Sequence, residues 1–157
     1  MIIPQTEWLV PTEYPDLRSA EEIAIDLETR DPDLKKLGSG AITNNGEVVG
    51  IAVAVDGWKG YFPIAHEIGP NLDRKKVLDW FTDVCSSPAT KIFHNAMYDV
   101  CWVRNLGIKI NGLIVDTMIA CSVLDENRFA YTLNALSWHY LNEGKNEKAL
   151  KLSLIHI

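Results

Sequence analysis

The chain has 157 residues, a length that fits one domain. It is 47% hydrophobic and 23% charged, with a net charge of −6, so it has enough apolar residues for a core and lacks the basic balance usual in a nucleic-acid binder. No run of about 18 apolar residues predicts a membrane span, and the opening MIIPQTEWLVP has neither the basic nor the long apolar region of a signal peptide. The cysteines, Cys85, Cys101 and Cys121, are odd in number and widely spaced, which fits neither a disulfide framework nor a zinc pattern and points to a reducing, cytoplasmic setting. An acidic balance still suits a site where clustered carboxylates hold cations that meet phosphates.

Residues 1–22 read as an N-terminal arm kept irregular by Pro4, Pro11 and Pro15. Ile23 to Glu28 alternates as a strand, with Ile23, Ile25 and Leu27 on one face and Ala24, Asp26 and Glu28 on the other. Thr29 to Asn45 reads as a polar loop, followed by an Asn45-Gly46 turn. Val48 to Val55 and Tyr61 to Ile64 read as strands joined near Asp56-Gly57, giving three antiparallel strands at the start. After Asp73, a predicted N-cap, Val77, Leu78, Trp80, Phe81 and Val84 recur at helical spacing. A short strand is predicted over Thr90 to Phe93, a helix from Asn95 to Leu106 stopped by Gly107, and a strand over Gly112 to Val115. Helices follow from Asp116 to about Leu124 and from Thr132 to Leu141. This β-β-β-α-β-α-β-α-α order predicts an α/β fold with a mixed sheet and helices packed on its faces. Residues 143–157 form a polar tail, and its apolar last five residues read as an artefactual or read-through ending.

Two short patterns carry possible chemistry. In Asp26-Leu27-Glu28 the two acids lie two residues apart on a strand and face the same side, an arrangement that a hard, oxygen-liganded cation would stabilise. Taken alone, such a pair is more often an ordinary polar strand face. In His94-Asn-Ala-Met-Tyr-Asp99 a strand gives way to a helix, so Asn95 and Asp99 would share a face near a helix N-terminus suited to a phosphate. Its bland reading is an Asn N-cap and a solvated first-turn acid.

Asp26-x-Glu28 followed by Asn95-x-x-x-Asp99 resembles the first two motifs of the DEDD exonuclease superfamily. Ala24-Ile-Asp-Leu-Glu-Thr29, Tyr61-Phe-Pro-Ile-Ala-His66, Lys91-Ile-Phe-His-Asn95 and Val115-Asp-Thr-Met118 are similar to the 3′→5′ proofreading exonuclease of family A DNA polymerases. The resemblance covers residues 23 to about 142 and implies an RNase H-like sheet, C-terminally truncated, as the exonuclease domain 23–142 between the arm and the tail. It implies two divalent ions, Mg²⁺ or Mn²⁺, on Asp26, Glu28 and Asp99, one activating water and the other stabilising the leaving 3′ oxygen. Glu28 and the Thr29 backbone N–H would meet the terminal 3′-hydroxyl, Asn95 would position the last nucleotides, and Leu34 would wedge against the last base. The substrate would be a single-stranded DNA 3′ end, the partner a polymerase domain downstream, and the setting a bacterial or phage-infected cell.

The superfamily's third motif, Tyr or His followed four residues later by Asp, has no match after Asp116: Tyr131 leads to Ala135, Tyr140 to Gly144 and His139 to Glu143. With three of four acids, this stretch is expected to bind its second ion poorly and to cleave slowly or not at all. Asp116-Thr117 reads as an N-cap of its own helix, His66 is given no chemistry, and His94 is expected to make a structural hydrogen bond. Trp80, Trp102 and Trp138 fall at helical apolar spacing and are expected in the core, while Trp8 is expected to pin the arm. Competing functions are an exoribonuclease of the same superfamily, separable by matched DNA and RNA oligonucleotides, and a non-catalytic scaffold, against which the three retained acids speak.

Overall fold

The structure is a computed structural model that describes residues 9–144. Five strands, β1 (Glu22–Arg30), β2 (Glu47–Val55), β3 (Trp58–Pro63), β4 (Thr90–Phe93) and β5 (Ile114–Asp116), form one mixed sheet in the order β3-β2-β1-β4-β5. β1–β2 and β2–β3 pair antiparallel, β1–β4 and β4–β5 parallel. The helices are α1 (Leu34–Leu37), α2 (Gly40–Thr43), α3 (Arg74–Ser86), α4 (Ala96–Asn105), α5 (Thr117–Leu124) and α6 (Leu133–Leu141). This is the α/β architecture expected from the sequence. The loop predicted over 29–45 differs, because it winds into the single turns α1 and α2, held by Asp31 accepting from the Gly40 N–H at 3.0 Å and by Ser39 accepting from Ala41.

Residues 10–117 form one compact unit, and residues 118–144 belong to a second. In the first, Ile23, Ile25 and Leu27 of β1 are buried with Ile51, Val53, Phe62, Val77, Phe81 and Trp102, while Asp26 and Glu28 stay on the open face. Asp73 caps α3 by accepting from the Lys76 N–H at 3.1 Å, and Gly107, at φ 78°, takes the left-handed position that stops α4. Trp8, expected to pin the arm, lies outside the described residues, as does the tail beyond residue 144. The described part of the arm is held by Tyr14 stacked on Phe62 at 5.7 Å and by the Trp80 Nε1–H donating to the Pro15 carbonyl at 2.8 Å.

In the second unit, Thr132 caps α6 and the Tyr131 hydroxyl donates to the Asp125 carbonyl at 2.6 Å. Trp138, expected in the core, is instead 58% exposed. α6 buries only Leu136, so the helical apolar spacing here does not mark a core stripe. Among the described residues no helix is long and apolar enough to cross a membrane.

Lys91 is fully buried on β4, on the same face as Phe93. Its ammonium donates to the carbonyls of Ser87, Ala89 and Asn111 at 2.6, 3.0 and 3.0 Å and lies 3.1 Å from Ser87 Oγ. The charge thus ties the turn after α3 to the strand and to the loop before β5. Replacing it removes donors from carbonyls that stay buried. Lys91→Met should lower the urea unfolding free energy by about 3 kcal/mol, and an unchanged midpoint would contradict this account.

Candidate active site

β1 is a central strand for only part of its length. Its pairing with β4 runs from Glu22↔Thr90 to Ala24↔Ile92, while its pairing with β2 continues to Arg30↔Glu47. Beyond Ala24 that edge needs another partner for its backbone. α4 supplies one: the Leu27 N–H donates to Asp99 Oδ1 at 3.1 Å, and Asp99 is only 4% exposed. The bond fixes Asp99 against the residue that lies between Asp26 and Glu28 in sequence.

The electrostatics follow from that placement. Burial, partly offset by the Leu27 N–H, acts with the charges of Asp26 and then Glu28 to hold the Asp99 carboxyl up at about 7. The three acids therefore feel one another, although 71 residues separate Glu28 from Asp99. The β1–β2 register slips between Glu28 and Thr29, a bulge that re-aims the strand just past the acids. Thr29 Oγ1 lies 2.7 Å from the Tyr98 hydroxyl, which donates to Asp31 Oδ2 at 3.1 Å, so α4 is latched to the end of β1. Leu34 opens α1 and is 41% exposed.

The start of α4 departs from the sequence reading. Asn95 has φ 68°, a left-handed residue before the helix, and its side chain makes no cap. It is exposed where Asp99 is buried, so the two do not share a helix face. The N–H groups offered to a phosphate are already taken: those of Asn95 and Ala96 donate to Asp116 Oδ1 and Oδ2 at 3.1 and 2.8 Å. Asp116, read as the cap of its own helix, ends β5 and accepts from the first N–H groups of the neighbouring helix. Parallel pairing of β4 with β5 sets Phe93 opposite Asp116 and brings the carboxylate there, a contact with no local signal in the sequence. His94 makes the expected structural bond, its Nδ1 2.9 Å from Thr117 Oγ1.

The family model described as 3′-5′ exonuclease matches residues 12–153. The chain belongs to the 3′-5′ exonuclease family. It is 33% identical over 162 aligned residues to a DNA-directed DNA polymerase of Pseudomonas phage M6, covering 96% of this chain and 24% of that protein. Magnesium-bound NrnC of Brucella melitensis shares the fold at a TM-score of 0.59 and 18% identity, over 84% of this chain and 60% of that one. The exoribonuclease RNase D of Escherichia coli does so at 0.59 and 14%, over 83% and 30%. The exonuclease domain thus spans about a quarter of the length of the phage polymerase.

For this exonuclease domain the metal question turns on the donor set. Asp26, Glu28 and Asp99 supply only carboxylate oxygens, and their mutual repulsion is what a divalent cation would relieve. The set fits such an ion in kind and in charge. No group of three or more His, Cys, Asp or Glu among the described residues stands as a ready-made cage, so the acids are neighbours through their fields while their carboxylates do not close on one point.

A carboxyl whose pKa is raised by folding destabilises the folded state as its proton is lost. For Asp99 that loss runs from the ordinary carboxyl range up through about 7. Asp99→Asn keeps the Oδ1 acceptor for Leu27 and drops the charge. In urea titrations without divalent ions it should be more stable than the wild type at pH 8, by about 2 kcal/mol, with the difference vanishing towards pH 4. A variant less stable than the wild type at pH 8 would contradict the assignment.

Proposed function

We propose that the chain is the proofreading domain of a DNA polymerase and hydrolyses the terminal phosphodiester of single-stranded DNA from its 3′ end. The observation that carries this reading is the Leu27–Asp99 bond, which holds Asp99 against β1 within the fields of Asp26 and Glu28. The 33% identity to a phage DNA polymerase supports DNA as the substrate and a polymerase domain, in a bacterial or phage-infected cell, as the partner.

In the proposed reaction a water oxygen attacks the terminal phosphorus, the bond to the preceding 3′ oxygen breaks, and a nucleoside monophosphate leaves. Asp26 and Glu28, on the open face, and Asp99, in the wall, are the proposed ligands of two Mg²⁺ or Mn²⁺ ions. Bound divalent cations supply charge to the phosphate and lower the pKa of a bound water. Asp99 fixes the depth of the site because Leu27 holds it. The Thr29 backbone N–H sits just past the bulge, where it can meet the terminal sugar together with Glu28. Asn95 and Leu34, both exposed, are proposed contacts to the last nucleotides. No Tyr- or His-x-x-x-Asp follows Asp116 in these 157 residues, so this stretch offers three acids where the superfamily uses four.

The test uses the full-length protein on matched, 5′-labelled DNA and RNA oligonucleotides in Mg²⁺. DNA should shorten from its 3′ end faster than RNA. Loss of a ligand exceeds the effect of losing its outer support, so Asp26→Ala with Glu28→Ala should cut the rate by more than about a hundredfold. The 157-residue stretch alone should fall at least about tenfold below the full-length protein. An undiminished rate in the double variant would overturn the catalytic assignment, and faster loss of RNA would turn the reading towards an exoribonuclease.

A further inference from the structure

The acid face of the sheet does not end at β1. Pairing places Asp26, Ala52 and Tyr61 in one row across β1, β2 and β3, and Glu28, Gly50 and Pro63 in the next. Directly opposed residues share a face, so Tyr61 stands on the same side as both acids. β2 contributes only Gly50 and Ala52 to that side between them, while the alternate residues Ile51 and Val53 go to the core.

Gly50 matters because of what fills its place. A Cβ there would overlap the Tyr61 hydroxyl and the edge of its ring. The hydroxyl therefore occupies the seat directly across from Glu28, where opposed Cβ atoms lie about 4.5–5.5 Å apart. A glutamate side chain spans that gap. A phenol is both donor and acceptor, so the Tyr61 hydroxyl has a proton to offer across the row.

The far side of Tyr61 is held. Its hydroxyl is hydrogen-bonded to His66 Nε2. His66 is in turn clamped by Asn71, whose Oδ1 accepts from the His66 N–H at 2.8 Å and whose Nδ2 donates to the His66 carbonyl at 2.8 Å. With Nε2–H as the donor to the phenol oxygen, the phenol proton is left for a second acceptor.

We propose that Tyr61, held by His66, is a positioning residue for hydrolysis: its hydroxyl donates to the Glu28 carboxylate and fixes the orientation that carboxylate needs at the reacting centre. This rests on the exonuclease reading above. Asn71, His66, Tyr61 and Glu28 then form one chain of contacts from the loop after β3 to the acid strand. Tyr61→Phe removes the donor and keeps the ring. His66→Gln keeps an amide donor near the place of Nε2, and His66→Ala removes it.

Kinetics of the full-length protein on a single-stranded DNA oligonucleotide in Mg²⁺ decide the matter, with melting temperatures measured alongside. Tyr61→Phe should lower kcat about tenfold with KM unchanged, the usual size for loss of an outer hydrogen bond to a ligand. His66→Ala should lose as much, and His66→Gln should recover most of it. Wild-type kcat in Tyr61→Phe, or no recovery in His66→Gln, overturns the positioning role. If Tyr61→Phe melts early, the comparison of Gln with Ala at position 66 carries the test. A Glu28→Ala control separates the two levels. If it is inactive while Tyr61→Phe is normal, only the positioning role fails; if it is itself fully active, the exonuclease reading falls first.

Discussion

A carboxylate 4% exposed to solvent, within the field of two others, is an arrangement proteins normally avoid, and the centre of this fold is built around one. Asp99 is held in the wall by a backbone donor of β1, the Leu27 N–H, which faces it because β4 stops pairing with β1 at Ala24. Had β4 continued, that donor would have gone into the sheet ladder and Asp99 would have had no place beside β1. The short parallel strand and the buried acid are two sides of one constraint.

Other features keep that junction in place. Asp116 fastens the first N–H groups of α4 from the end of β5, and Tyr98 latches the helix to Thr29 and Asp31. Lys91 ties the segment before β4 to the loop before β5. Each contact joins parts of the chain distant in sequence, and together they leave α4 little freedom to withdraw Asp99 from β1. The destabilisation concentrated among the acids is thus offset by rigidity around them, as expected where charge is held ready for a cationic partner.

Much of this was legible in the sequence because the signals are local. Alternation from Ile23 to Glu28 fixed which residues face the core, and the Asp73 cap and Gly107 marked helix ends within a residue or two. The two acidic motifs were legible through their order and resemblance. What escaped depends on tertiary contact. Asn95 takes a left-handed conformation that composition does not announce, and Asp116 reaches its helix only after two strands pair. Lys91 carried a faint signal, a lysine on the buried side of a strand of period two, but its carbonyl partners come from two loops. Trp138 failed for the opposite reason: its spacing was local and helical, while exposure depends on what packs against the helix.

The account stands on Asp99 being both proton-hungry and open to relief by a divalent cation. Carbon-13 NMR of its side-chain carboxyl, followed through a pH titration with and without saturating Mg²⁺, reports this directly. The account predicts a midpoint near 7 without the ion and a drop of about two units or more with it. A midpoint in the ordinary carboxyl range that Mg²⁺ leaves unmoved would contradict it.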